Sequence, residues 1–329
     1  MAGTKRLWRL IPTLLVLLIV APPALADTQE KVLELVTRHR ETGYTTGAWT
    51  ITDRWDEEAE LEFADFVEEF GVARETIRFK NAEGLTNPAV NILWTEEDAE
   101  LEIEVDCANL PYLLRAYFAY KTGRPFAYMA NKGKRYGKNN RPRVLKDFSD
   151  HPTFPEFIKD VVHSVSSAHL RMHADYEATD LYPIDPTYDS VRPGVVYYDP
   201  NGHVLMVYKV DREKGDIHML DGHPDGTISR KVWGASYARG SARFAGGFKA
   251  WRHDHVEVIN RETGEFTIWR DLNAEAPHYS NSAQYQDQYW LDGLDMTYHE
   301  WVRARVSRDG IFVDPMDGFD RMLTGFCGD

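Results

Sequence analysis

Three residues in this chain have types and surroundings that suit one piece of chemistry: Cys107, His203 and Asp221. A thiol becomes a nucleophile when an imidazole takes its proton and a third polar group orients that imidazole. Cys107 follows Asp106 at the point where an alternating stretch, residues 101–106, gives way to apolar residues at helical spacing: Leu110, Leu113, Leu114, Tyr117 and Phe118. A thiol at a helix start feels the positive end of the helix dipole and the free backbone amides, and both favour the thiolate. The same amides can stabilise an oxyanion. His203 opens a strand directly after the turn glycine Gly202, and Asp221 ends the strand after it. Each has a plainer reading alone. Cys107 could be a small buried hydrophobe, His203 a turn histidine, and Asp221 a cap for the loop from Gly222 to Gly226. Taken jointly, in the order Cys-helix, His-strand, Asp-strand, they read as a triad.

Hairpin register selects the third member. Strands at 203–210 and 217–221, about a turn centred near residue 212, place position 221 opposite His203. His218 then falls opposite Met206, and His223 lies beyond the strand. The expectation is therefore Asp221, and not His218 or His223.

The elements that must position these groups follow from periodicity. Residues 28–40 and 57–70 read as helices, and Gly123 with Pro125 ends the helix that starts near Cys107. A further helix is expected over 154–170. Strands are expected at 195–198, 204–210 and 217–220, with a turn at Asp199-Pro200-Asn201-Gly202. An aromatic-rich helix is expected over 283–306. The fold class is α+β, with the cysteine helix packed on an antiparallel sheet that carries His and Asp, and with N- and C-terminal helical elaborations. The domain reading is 1–26 as a signal peptide, 27–100 as an N-terminal helical elaboration, 101–245 as the catalytic core, and 246–329 as a C-terminal extension.

Residues 1–26 read as an export address. Lys5, Arg6 and Arg9 are its basic region, 10–21 its apolar region, and Ala24-Leu25-Ala26 its cleavage signal. The mature chain would begin at Asp27, in the periplasm or outside the cell, with no stable membrane anchor. The apolar stretch is short of the about 20 residues a spanning helix needs. The 329 residues carry 38 Lys and Arg against 52 Asp and Glu, a net charge of −14, which argues against a nucleic-acid partner. Cys107 and Cys327 are too few for a disulfide framework or a four-cysteine zinc site, and they are expected to stay unbridged.

Other patterns are weaker. His169 and His173 lie four apart, but without a Glu beside His169 or a firm further ligand beyond His163 they make no zinc motif. Asp314, Asp317, Asp320 and Gly318 do not follow calcium-loop spacing. No Gly-x-Ser-x-Gly elbow, phosphate loop or dinucleotide fingerprint occurs, so no cofactor or metal is expected. Tyr285, Tyr289, Trp290, Tyr298 and Trp301 read as core aromatics before they read as a sugar-binding face. Residues 132–146 hold seven basic side chains and no acidic one, a solvated loop or a clamp for an anionic ligand.

Three segments resemble a known superfamily. Residues 106–123, DCANLPYLLRAYFAYKTG, are similar to the cysteine helix of papain-like cell-wall peptidases of the NlpC type and of bacterial transglutaminase-like cysteine proteinases. Residues 192–210, with Pro-Gly, paired aromatics and Gly-His-Val, resemble the NlpC-type histidine strand, and IHMLDG at 217–222 resembles the transglutaminase-like aspartate strand. The resemblance covers about 45 residues. It implies a papain-like core, thiol hydrolysis of an amide by Cys107, His203 and Asp221, and a peptide substrate such as peptidoglycan. The 96 positions from Cys107 to His203 leave room for an insertion that includes the basic stretch. The competing expectation is a binding or scaffold protein on the same fold with an unused triad.

Overall fold

The computed structural model describes residues 47–130, 144–260, 265–270 and 279–308. Its first helices are α1 (Glu57–Thr76), α2 (Asn81–Thr86) and α3 (Asn109–Thr122). Strands β1 (Ala127–Ala130) and β2 (Val144–Asp147) form a separate antiparallel pair, and helices α4 (Phe154–Ser164) and α5 (Ser167–Leu170) follow. Six strands then build the main sheet: β3 (Leu181–Pro183), β4 (Val196–Asp199), β5 (His203–Asp211), β6 (Asp216–Gly222), β7 (Ile228–Val232) and β8 (Gly247–Trp251). Two hairpins, β9 (Asp254–Asn260) with β10 (Glu265–Arg270) and β11 (Tyr289–Leu291) with β12 (Leu294–Met296), precede α6 (Tyr298–Val306). The protein is thus mixed α and β, and its main sheet runs β3-β8-β4-β5-β6-β7 with every neighbour antiparallel.

Strand alternation splits the core between the two faces of this sheet. Val204, Met206, Tyr208 and Leu220 point into the larger cluster, with side chains from α1, α3 and α4. Leu205, Val207, Ile217 and Met219 point the other way, onto Trp301, Val302 and Val306 of α6. Helix α1 is capped by Asp56, which accepts the Ala59 N–H at 3.0 Å. It packs on β5. At Gly71 the approach is so close that a Cβ would overlap the Tyr208 ring.

Helix α3 is buried on nearly all sides, from Asn109 to Ala119. Its one buried cation, Arg115, stacks 3.3 Å from the Trp55 ring centroid and pairs with Glu60 of α1 at 2.5 Å. Burial alone would raise the Glu60 pKa, but Arg115 and His253 overcome it and hold the carboxyl down at about 2. Removing one partner of such a buried pair costs about 3–5 kcal/mol, so this contact fixes the position of the cysteine-bearing helix against α1. Gly123, at φ 68°, ends α3 in the left-handed conformation.

Residues 101–106 keep the expected alternation, with Ile103 and Val105 buried and Glu102 and Glu104 exposed, outside any strand. Several other sequence expectations need correction. The helix expected over 154–170 breaks after Ser164, where Val165 turns extended and Ser166 starts the short α5. The helix expected over 283–306 divides into a 3-10 turn at Ala283–Tyr285, a β-hairpin and, from Tyr298, α6. Asp292 and Gly293, at φ 52° and 83°, make the tight turn between β11 and β12, so this Asp-Gly pair was a hairpin signal. A capping box of Thr297 and Glu300 then starts α6. The core boundary expected at 245 falls inside the sheet, because β8 lies between β3 and β4. Residues 1–46, most of the basic stretch 132–146, Asp314 to Asp320 and Cys327 lie outside the described residues. Among the described residues, no helix is long and apolar enough to cross a membrane.

Candidate active site

Asp106 builds the start of α3. Its Oδ1 accepts the Ala108 and Asn109 N–H groups at 3.0 and 3.1 Å, and its carbonyl accepts the Leu110 N–H at 3.0 Å. This alters one expectation. The amides of residues 108 and 109 serve the Asp106 carboxylate, so they do not point at the thiol. The Cys107 N–H has no acceptor among the described residues. An Asp just before a helical apolar run is a capping signature, and it was legible beforehand.

Cys107 itself is a half-buried free thiol. Gly222, at the end of β6, lets its segment settle onto the sheet. A Cβ there would stand 3.0 Å from the Asp106 carbonyl oxygen and 3.2 Å from the Leu110 Cβ. Backbone on one side and a core residue on the other leave little room to yield. Gly222→Ala is therefore expected to lower stability by about 1–3 kcal/mol, the usual cost of overpacking, and to push Cys107 away from His203. Denaturant midpoints and the rate of Cys107 alkylation in folded protein would show both effects.

His203 begins β5 after Gly202, which turns the chain at φ 101°. Its Nε2 lies 2.9 Å from Asp221 Oδ1, with the imidazole side chain 39% exposed and the carboxylate only 5%. The ring N–H is not well aimed along that line, so the contact acts through charge and proximity more than through a straight hydrogen bond. Cys107 is the second neighbour that acts on the ring's charge. Asp221 first and Cys107 second raise the His203 pKa from its ordinary value to about 10, against the opposing effect of partial burial. The loop after Asp221 closes without it. His223 N–H donates to Thr227 O at 2.9 Å, and Gly226 N–H to His223 O at 2.9 Å.

The register that brings His203 to Asp221 differs from the expected one. Met206 pairs with Leu220 and Val207 with Met219, a bulge follows at Tyr208, and His218 lies opposite Lys209 rather than Met206. Continued to the strand end, this register sets His203 diagonal to Asp221 instead of directly opposite it. A diagonal pair two residues offset stays on the same face and within reach of a long side chain. The turn is centred about one and a half residues later than the expected 212, because the four residues 212–215 form it.

His223 lies just beyond β6, where only a β-bulge is expected to return it to the site. Its Nε2 lies 3.8 Å from the other oxygen of Asp221 and 2.8 Å from Ser229 Oγ. The histidines considered for zinc are scattered. His163 contacts its own helix at Lys159 O, His169 is buried, and His173 is largely exposed beside Asp175. Among the described residues no group of three or more His, Cys, Asp or Glu is arranged to hold a metal. Of the tail aromatics, Tyr289, Tyr298 and Trp301 belong to the second core cluster, while Trp290 is exposed. Comparison with protein-family models, with curated proteins and with solved structures finds no match to this chain.

Proposed function

We propose that this chain is a thiol hydrolase with a papain-like core, an exported peptidase or amidase that uses Cys107, His203 and Asp221. The observation that carries this reading is the His203 imidazole itself. It stands between a free thiol at a helix start and a buried carboxylate, and these two neighbours keep it protonated well past neutral pH. That is the arrangement a thiolate–imidazolium pair requires.

The reaction follows from the groups. The Cys107 sulfur attacks an amide carbonyl carbon, and the oxyanion meets the Cys107 N–H. As the C–N bond breaks, His203 gives its proton to the leaving amine, and a thioester remains on Cys107. Water then attacks the thioester while His203 takes its proton, which frees the carboxylic acid and the thiol. Asp221 holds the imidazole in orientation and balances its charge. The substrate class proposed is a cell-wall peptide, on the strength of the sequence resemblance and the export signal.

A stoichiometric thiol-directed probe tests the reading. The expected result is rapid, His203-dependent labelling of Cys107. Sluggish labelling indifferent to His203→Ala would favour a scaffold with an unused triad. Export has its own test. N-terminal sequencing of protein recovered outside the cytoplasm is expected to begin at or near Asp27, and a retained N-terminus would remove this part of the proposal.

A further inference from the structure

A groove of about 710 Å³ curves around β7, the edge strand of the main sheet. It adjoins the triad through His223, which touches both Asp221 and Ser229. Its walls carry Arg74, Arg78, Arg230 and Lys231 against one carboxylate, Glu75. Glu75 lies 3.8 Å from Arg230 and 4.0 Å from Lys209, and so balances part of that charge. The Arg74 guanidinium is fixed by two hydrogen bonds to Ile228 O, at 3.1 and 2.9 Å. Arg78 and Lys231 have no ion-pair partner among the described residues. In a chain of net charge −14, a cationic groove that adjoins the candidate triad selects by charge.

Register places that charge relative to the reaction. Ser229 lies opposite Asp221, Arg230 opposite Leu220, and Lys231 opposite Met219. At about 3.3 Å per residue, Lys231 stands roughly 7 Å along β7 from the Asp221 position, or two residues of an extended peptide. A neighbouring face holds Glu83, Glu100, Glu102 and Glu104 with Lys80, and meets the 222–227 loop at Gly226 and Thr227.

We propose that the groove around β7 holds the carboxylate-bearing segment of an acidic peptide whose scissile amide lies at Cys107. This rests on the thiol-hydrolase reading and adds the substrate class. The probes are fluorescein-labelled penta-glutamate and penta-glutamine, with binding read by fluorescence anisotropy on the Cys107→Ala protein. Penta-glutamate is expected to bind at least about 10-fold tighter at low salt, and that preference should fall as salt rises. The triple variant Arg78→Gln, Arg230→Gln, Lys231→Gln should lose most of it. Should that variant fail to fold, Lys231→Glu together with the salt dependence of the parent serves instead. In the parent protein, unlabelled penta-glutamate is expected to slow Cys107 alkylation by iodoacetamide. Equal affinity for the two peptides would overturn the proposal, as would binding that leaves alkylation untouched or tighter binding of an oligothymidylate of equal charge. Slow, His203-independent labelling of Cys107 would instead overturn the hydrolase reading, even with glutamate binding intact.

Discussion

His203→Ala is expected to abolish hydrolysis while reducing Cys107 alkylation far less. An unassisted thiol has a pKa near 8.5 and is only a few per cent ionised at pH 7, which sets a ceiling of roughly 30-fold on the loss of thiolate. A more basic thiolate is also a better nucleophile, with a Brønsted slope of about 0.4–0.5, so the net loss in alkylation should be nearer 10-fold. Hydrolysis loses more, because the same imidazole must also protonate the leaving amine and then activate water. General acid–base catalysis of this kind contributes about 10²–10⁴-fold on top of the ionisation effect. The pH profile separates the two states. In the parent, Asp221 and the thiol keep His203 charged until about pH 10, so alkylation of Cys107 between neutrality and pH 9 should proceed beside a charged imidazole. In His203→Ala it should rise about tenfold per unit until it levels near the ordinary thiol pKa of about 8.5. Identical profiles for the two proteins would show that the imidazole does not act on the sulfur.

Asp221→Asn carries the second large effect, expected at about 10²–10⁴-fold in turnover with the fold retained. The amide has nearly the carboxylate's shape but none of its charge. Asp221 is the first cause of the raised His203 pKa, so its loss should bring that pKa down from about 10 toward the ordinary histidine value. The sign follows. The native carboxylate favours the charged imidazole, and its stabilising effect is fully present below the ordinary histidine pKa. It is lost as pH rises through the folded value near 10. In the variant that loss should begin near neutrality, and the alkaline limb of the activity profile should move to lower pH. His218→Ala should leave activity unchanged, since His218 lies opposite Lys209, and burial and that lysine push its pKa down. His223→Ala should cost less than tenfold, because its contact with Asp221 is longer than that of His203. A dead His218 variant beside a fully active Asp221→Asn would mean the carboxylate is misassigned.

Much of this was legible in the residues themselves. The order of apolar positions after Cys107 specified a helix, because 3.6-residue periodicity is local and α3 obeys it from Leu110 to Phe118. The Pro-Gly and Asp-Pro-Asn-Gly signals and the turn from Asp211 to Gly215 specified antiparallel strands, because turn chemistry is also local. These signals put a thiol at a helix start and a histidine and an aspartate at strand ends. Distances between distant segments were beyond them. The bulge at Tyr208 and the later turn centre shifted the β5–β6 register, and only same-face alternation kept His203 and Asp221 within 2.9 Å. The Asp106 carboxylate took amides that seemed free for the thiol, since capping is a competition decided by side-chain rotation. His223 reached Asp221 through a loop path, and β8 entered the middle of the sheet from beyond the expected core boundary. Sequence periodicity determines what each segment is. Where segments meet depends on packing across the whole core, where one added residue in a strand or one missing Cβ at Gly222 moves every contact beyond it.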